Sequence, residues 1–152
     1  MGIEYDLNIA GPLDPESLLQ LVERGLDLEP ERDVIGGPDV VGRAAPGFYL
    51  TAMPVSSQFA EVDAEWSGIA PRVSVTFRMD KEWDPRDALL RMMRAVGAVL
   101  AAVPDDASFV YNGDQLWLRR QAGHLVARAD RVDADALAAL GLPCELGELP
   151  DA

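Results

Sequence analysis

The chain has 152 residues, 49% of them hydrophobic, which suits a single folded domain spanning residues 1–152. Its 26 acidic and 13 basic residues give a net charge of −13, which argues against nucleic acid or an anionic membrane as a partner. The one cysteine, Cys144, excludes an internal disulfide.

The negative charge is concentrated in the first half of the chain. Residues 1–70 hold 13 acidic and 3 basic side chains, whereas residues 71–152 hold 13 and 10. An acidic half beside a nearly neutral half favours a partner with a basic surface. A surface that only keeps the protein soluble is the alternative interpretation.

No stretch approaches the roughly 18 consecutive apolar residues of a membrane-spanning helix. The N-terminal sequence enters a polar–apolar alternation at once and has no basic region ahead of an apolar run, unlike a signal peptide. We therefore expect a cytoplasmic protein without a membrane partner.

The first elements are predicted to be a strand and a helix. Glu4–Ala10 alternates polar and apolar residues, as in a half-buried strand. Asp14 can cap a helix that has Pro15 in its first turn, and Gly25 is predicted to end that helix as a left-handed C-cap.

Residues 27–47 are rich in proline and glycine. The pairs Val34-Ile35 and Val40-Val41 are interpreted as two short strands around a turn at Gly37-Pro38. Phe48–Val55 then alternates again and is predicted to be the second main strand.

The segment 56–70 is compatible with a loop, an edge strand or a short helix. It carries four residues typical of a protein-contact patch, because acids surround a large aromatic side chain that can anchor an interface: Glu61, Asp63, Glu65 and Trp66. The alternative is that Trp66 folds back to cover the core.

A third strand and the longest helix follow. Arg72–Asp80 alternates strictly, so one face of this strand is predicted to be buried. A helix then begins after the cap Asp84, carries a favourable Asp87–Arg91 pair and runs to about Val103. Its apolar stripe comprises Leu89, Met92, Met93, Val96, Leu100 and Val103.

The C-terminal part is predicted to be a three-stranded meander and a short helix. Asn112-Gly113 is a strong hairpin signal between the strands Ser108–Tyr111 and Gln115–Arg120, and His124–Arg128 is the third strand. A capped helix over Asp133–Leu140 follows, and the acidic tail 143–152 is expected to be loose.

The order of elements predicts an α+β fold with two layers. Its centre is a ferredoxin-like split β-α-β arrangement, with a mainly antiparallel sheet and both main helices on one face. The first and third main strands are then neighbours, which places Glu4 and Asp6 near Arg72 and Arg78 on the open face.

The sequence contains no recognisable catalytic set. The only histidine, His124, has no cysteine or histidine at metal-ligand spacing, and no serine lies in a nucleophile motif. We therefore expect no enzymatic activity, no cofactor and no metal site.

Three stretches carry a family resemblance: EYDLNIAG at residues 4–11, VSVTFRMDK at 73–81 and FVYNGDQLWLRR at 109–120. With them the chain resembles the immunity proteins of bacterial toxin–immunity pairs, in particular the swarming-associated toxin immunity family. The resemblance implies a cytoplasmic, non-enzymatic protein that binds and blocks a cognate toxin. Strong negative charge would steer association with a basic toxin surface, and we expect Glu61, Asp63, Glu65 and Trp66 to contribute contacts.

Two other hypotheses remain open. A small-molecule-binding or enzymatic domain would use a groove between the meander and the long helix, with Tyr111, Arg119 and His124 converging on it. A self-associating module would pair through the open sheet face or an edge, so that the protein is a homodimer instead of a monomer.

Overall fold

The computed structural model describes residues 2–35, 37 and 39–152. In these residues the strands are β1 Glu4–Ile9, β2 Val41–Ala45, β3 Phe48–Pro54, β4 Val73–Met79, β5 Ala107–Tyr111, β6 Gln115–Gln121, β7 His124–Arg128 and β8 Glu145–Gly147. The helices are α1 Pro15–Gly25, α2 Ser57–Ser67, α3 Pro85–Ala102 and α4 Ala134–Leu140. The strands form one sheet in the order β2-β3-β4-β1-β5-β6-β7-β8.

The centre of the sheet has the predicted split topology. β1 is antiparallel to both of its neighbours, β4 and β5, and β3 is antiparallel to β4. β1 and β3 therefore run in the same direction with β4 between them, and β4 and β5 do so with β1 between them. These two interlocking β-α-β units, connected by α1 and α3, confirm the predicted fold class.

The main core lies between one face of the sheet and the helices α1, α3 and α4. Alternate residues of the central strands point into it, as their period of two predicted. Each fully buried leucine or phenylalanine contributes about 1.5–3 kcal/mol to stability. The largest of these side chains on β1, β4 and β5 are Leu7, Ile9, Phe77 and Phe109, and α3 adds Met92, Met93, Val96 and Leu100 from its predicted stripe.

The predicted C-cap of α1 is wrong. Gly25 lies inside the helix, Leu26 is the C-cap, and the residue in the left-handed conformation is Asp27, with φ 55°. Gly25 is required by packing, because a Cβ there would lie 2.7 Å from the Ala98 Cβ of α3. The glycine lets α1 and α3 approach closely.

The segment between α1 and β3 forms one strand instead of two. β2 pairs with β3, and among the described residues before it a single bridge joins Asp33 to Gly42. Val34 is fully exposed and Ile35 is half-buried, and neither belongs to a strand, so the predicted Val34-Ile35 strand is wrong. The turn predicted at Gly37-Pro38 includes Pro38, which lies outside the described residues.

A buried ion cluster fixes this segment to α1. The Glu23 carboxylate, only 1% exposed, accepts hydrogen bonds from Arg32 Nη1 at 2.8 Å and Arg43 Nη1 at 2.9 Å. It also accepts one from the backbone N–H of Glu31 at 3.1 Å. We call Glu23, Arg32 and Arg43 the Glu23 cluster.

The meander and the short helix form as predicted. Asn112 and Gly113 both have positive φ, 46° and 77°, as a tight hairpin turn requires. The second turn repeats this at Ala122 and Gly123. α4 begins after the cap Asp133 and ends at Gly141 in the left-handed conformation.

The C-terminal tail is ordered, unlike the expectation of a loose segment. β8 pairs in parallel with β7, and Leu149 is buried. The buried guanidinium of Arg128 donates to the carbonyl oxygens of Leu149 and Pro150 and to the Asp151 carboxylate. Through these hydrogen bonds Arg128 fixes the acidic C-terminal segment to the sheet, whereas composition alone suggested that this segment would be loose.

Candidate functional site

The helix α2 lies on the sheet face opposite α1 and α3. Segment 56–70 is thus a helix, with Ser56 accepting the first-turn N–H of Phe59 at 3.3 Å and Gly68 as left-handed C-cap. Trp66 packs against a small separate cluster formed by Val110, Leu116 and Leu149. Trp66 therefore covers apolar surface, as one of the two interpretations had it, but on the second face of the sheet.

Little of α2 is buried. Ser67 is its one buried residue, and it is held by a hydrogen bond from Arg119 Nη1 to its carbonyl oxygen at 3.2 Å. Phe59, Val62 and Trp66 follow each other at helical spacing, yet Phe59 is 71% exposed and Val62 55% exposed. Most of the apolar stripe of α2 thus has no partner within the described residues.

A groove of about 490 Å³ separates α2 from the sheet, and we call it the α2 groove. Its walls are mainly apolar, with contributions from β3, from α2 and from the hairpin strand β5: Met53, Val55, Phe59, Trp66 and Val110. Its polar side chains come from α2 and from the faces of β1 and β4 that point away from the main core: Asp63, Asp6, Asn8, Ser74 and Thr76.

The polar groups of the α2 groove are only partly paired with each other. Thr76 Oγ1 donates to Asp6 Oδ1 at 2.6 Å, and Asn8 Nδ2 donates to the Ser108 hydroxyl at 3.1 Å. Ser74 is 8% exposed, and its hydroxyl has no hydrogen-bond partner among the described residues. The Ser74 hydroxyl lines the groove and can therefore bond to solvent or to a ligand there.

Both carboxylates of the α2 groove have raised pKa values. Burial raises the pKa of Asp6, the hydrogen bond from Thr76 opposes this, and the charges of Glu4 and Asp63 raise it further. Burial also raises the pKa of Asp63, opposed by the Trp66 indole N–H at 3.4 Å. Within the part of the chain that the structure describes, no lysine or arginine lines this groove, so neither carboxylate has a cation beside it there.

The four predicted contact residues do not act as one set. Asp63 and Trp66 line the α2 groove, whereas Glu61 and Glu65 are exposed and lie outside its lining. The sequence reasoning did not assign Asp6, Asn8, Ser74 and Thr76 to the site. These residues are the polar positions of the alternating patterns in β1 and β4. Because the two strands were expected to be neighbours, the pattern could have indicated a shared polar surface.

The predicted pairing of acids with arginines on this face is only partly realised. Glu4 lies opposite Arg78 in the register of β1 and β4, as expected. Asp6 instead lies opposite Thr76 and accepts its hydroxyl hydrogen bond. Among the ion pairs of the described residues, none joins Glu4 or Asp6 to Arg72 or Arg78.

The alternative groove between the meander and the long helix does not assemble. Tyr111 stacks on Trp117 with ring centroids 5.5 Å apart, on the side of the main core. Arg119 points to the other face, where it contacts Ser67, and His124 lies 3.1 Å from Glu145 at the end of β7. The three side chains therefore lie in three separate environments.

Two further searches concern metals and membranes. In residues 2–35, 37 and 39–152, no group of three or more histidine, cysteine, aspartate or glutamate side chains is placed to hold a metal ion. No helix within these ranges has the length and apolar character needed to cross a membrane.

Comparison with known proteins gives one match. A search of curated proteins and a search of solved structures each found none. A model of one protein family, described as SitI3-like, matches residues 3–133, from the start of β1 to the cap of α4. That range includes the whole α2 groove, and over it this chain belongs to the SitI3-like family.

Proposed function

We propose that this protein is a toxin immunity protein that binds and neutralises a cognate bacterial toxin without catalysing a reaction. Membership of the SitI3-like family supports this role, because the SitI proteins are toxin immunity proteins. The net charge of −13 supports a toxin with a basic surface, since opposite charges accelerate association.

The observation that carries the proposal is the face formed by α2 and the α2 groove. Phe59 and Val62 are large, exposed and adjacent to carboxylates that no lysine or arginine of the described lining neutralises. Apolar anchors beside unpaired charge are typical of an interface centre that becomes complete only when a partner covers it. We therefore extend the contact surface predicted from Glu61, Asp63, Glu65 and Trp66 to the polar faces of β1 and β4 that line the α2 groove.

Co-expression with the product of the adjacent gene tests the proposal. The tagged protein should recover that product in a stoichiometric complex and should restore growth where the product alone stops it. A matched variant, Phe59→Asp, should fold with an unchanged circular dichroism spectrum but lose both the complex and the protection. Recovery of a neighbour that is not toxic, or protection by the Phe59→Asp variant equal to that of the wild type, would contradict the proposal.

Size-exclusion chromatography with light scattering separates this role from self-association. We expect a monomer that becomes a heterodimer with the toxin. A stable homodimer that Phe59→Asp dissociates, without any toxin complex, would instead assign the α2 face to pairing between copies of this chain.

A further inference from the structure

We infer that the α2 groove is a receptor site for an arginine side chain presented by the partner protein. The inference specifies the chemistry of the contact and takes the existence of a protein partner from the proposed function.

The hydrogen-bonding groups of the α2 groove are mainly acceptors. Asp6 and Asp63 offer four carboxylate oxygens, of which Asp6 Oδ1 accepts from Thr76 and Asp63 Oδ1 accepts a long bond from the Trp66 indole. Asn8 uses its amide N–H toward Ser108 and leaves its carbonyl oxygen available, and the Ser74 hydroxyl has no partner among the described residues. A guanidinium carries five N–H donors and no acceptor, so it complements this set.

The walls of the α2 groove suit the rest of an arginine side chain. Its three methylene groups can lie along Met53 and Val55, as long cationic side chains bury their stems on apolar surface. The ring of Trp66 offers a face on which a planar guanidinium can stack. Lysine would supply a compact, strongly hydrated charge with three donors, so it fits this planar, multiply accepting site less well.

The charge of the groove points to the same ligand. The groups that titrate in its lining are Asp6 and Asp63, and Glu4 acts on Asp6 from the neighbouring surface. Burial without a cation makes the ionised forms of both carboxylates costly, which is why their pKa values are raised. A bound guanidinium would offset that cost and lower both pKa values.

Titration with small probes tests the inference on the full chain. N-acetyl-arginine amide should shift the Trp66 indole N–H resonance, assigned by its loss in Trp66→Phe, with weak but saturable binding. N-acetyl-citrulline amide has nearly the same shape without the charge and should bind at least about tenfold more weakly. N-acetyl-lysine amide should lie between them. Equal shifts with arginine and citrulline, or no saturable shift with arginine, would overturn the inference.

A matched pair of variants on one helix localises the site. Asp63→Asn removes a groove carboxylate, whereas Glu61→Gln removes the same charge two residues away, outside the lining. We expect Asp63→Asn to weaken binding of the arginine probe about tenfold and Glu61→Gln to change it less than twofold. Both positions are on the helix surface, so unchanged circular dichroism spectra should confirm folding. Equal losses in both variants would show a diffuse charge effect and contradict a defined site.

The same variants distinguish failure of this inference from failure of the proposed function. If the toxin complex forms and is unaffected by Asp63→Asn and by Asp6→Asn, the immunity role stands and the arginine site is wrong. If the arginine probe binds with the expected selectivity but no toxic partner is found, the site stands and the immunity role is wrong.

Discussion

Two clusters of acidic side chains, one buried and one half-buried, differ in whether the chain supplies the opposite charge. In the Glu23 cluster, Arg32 and Arg43 bond directly to the carboxylate. In the α2 groove, Asp6 and Asp63 are also withdrawn from water, but the groups that contact them are a threonine hydroxyl and an indole N–H.

The pKa values record this difference. Burial alone would raise the pKa of Glu23, but the hydrogen bonds from Arg32, Arg43 and the Glu31 backbone lower it overall. Burial raises the pKa values of Asp6 and Asp63, and the hydrogen bonds there are too weak to reverse it. Removing one partner from the Glu23 cluster would leave a buried charge unpaired, which is strongly destabilising. Among the described residues the carboxylates of the α2 groove have no such cation, and a partner protein could supply one.

The largest effect is expected from opening the closed cluster. Glu23→Ala leaves the buried guanidinium of Arg43 without its buried carboxylate partner, with only the exposed Glu31 carboxylate still beside it. This should lower the free energy of unfolding by about 3–5 kcal/mol. Urea denaturation followed by circular dichroism measures this. The control Glu16→Ala removes an exposed carboxylate of the same helix that also pairs with Arg32, and should cost less than about 1 kcal/mol. A loss at Glu23 no larger than at Glu16 would remove the distinction between the two clusters.

The exposed aromatic beside the open cluster should matter for binding and hardly for stability. Phe59→Ala should weaken the toxin complex by about 2 kcal/mol, about thirtyfold in Kd, because it removes an anchor of the proposed interface. Its free energy of unfolding should change by less than about 0.5 kcal/mol. Isothermal titration calorimetry and urea denaturation of the same preparation separate the two quantities. A change in stability without a change in affinity would place Phe59 in the fold and not in the interface.

A substitution at Gly25 tests how tightly α1 packs against α3. Gly25→Ala places a methyl group against Ala98 and Ala95 of α3 and should cost about 1–3 kcal/mol despite the better helix propensity of alanine. The melting temperature of the variant measures the balance. The glycine at the hairpin end, Gly113, has open space around it and serves as a contrast, since its replacement by alanine is strained only through its positive φ of 77°.

The smallest change in stability is expected for Asp6 in the α2 groove, where the substitution should stabilise the protein instead of destabilising it. Because the pKa of Asp6 is raised in the folded state, stability should fall as pH rises from its ordinary value of 3.8 through the folded value. Asp6→Asn should therefore raise the melting temperature at pH 8 and flatten the profile over that range. It should also retain the bond from Thr76, since the amide oxygen can still accept.

The Glu23 cluster should respond to pH in the other direction. The folded-state pKa of Glu23 is lowered from 4.5, so its stabilisation is present above 4.5 and is lost as pH falls through the folded value. Glu23→Gln should remove that acid-side loss. Melting temperatures of both variants between pH 3 and pH 8 measure how each substitution changes the pH dependence of stability. A change in the same direction for Asp6→Asn and Glu23→Gln would contradict the comparison.

Local patterns predicted the sheet and the main helices well. The strict alternation of β1 and β4, the caps Asp14 and Asp84 and the turn at Asn112-Gly113 each act through neighbours in sequence. Their order was enough to propose the split topology, and with it the expectation that Glu4 and Asp6 lie near Arg72 and Arg78, which the register bears out only for Glu4 and Arg78.

The site was harder to predict because it depends on where α2 lies. Phe59, Val62 and Trp66 have helical spacing, but an alternation at Phe59, Glu61 and Asp63 competed with it, so the segment remained ambiguous. Even a correct helix prediction would not have placed α2 over the polar face of β1. The role of Gly25 likewise depends on a helix that begins 60 residues later, and so is invisible to a local rule.

The position of β1 at the centre of the sheet has a consequence for the speed of folding. Its contacts join it to residues 70 positions later, at Thr76, and 100 positions later, at Ser108. Such distant pairings require large loops to close before their contacts stabilise the fold, so this topology should fold more slowly than a domain with mainly local contacts. On a ribosome that adds about 5–20 residues per second, β1 waits several seconds for its second neighbour to emerge. β1 is paired on both sides only after residues 107–111 have been made, so the complete sheet forms late in synthesis.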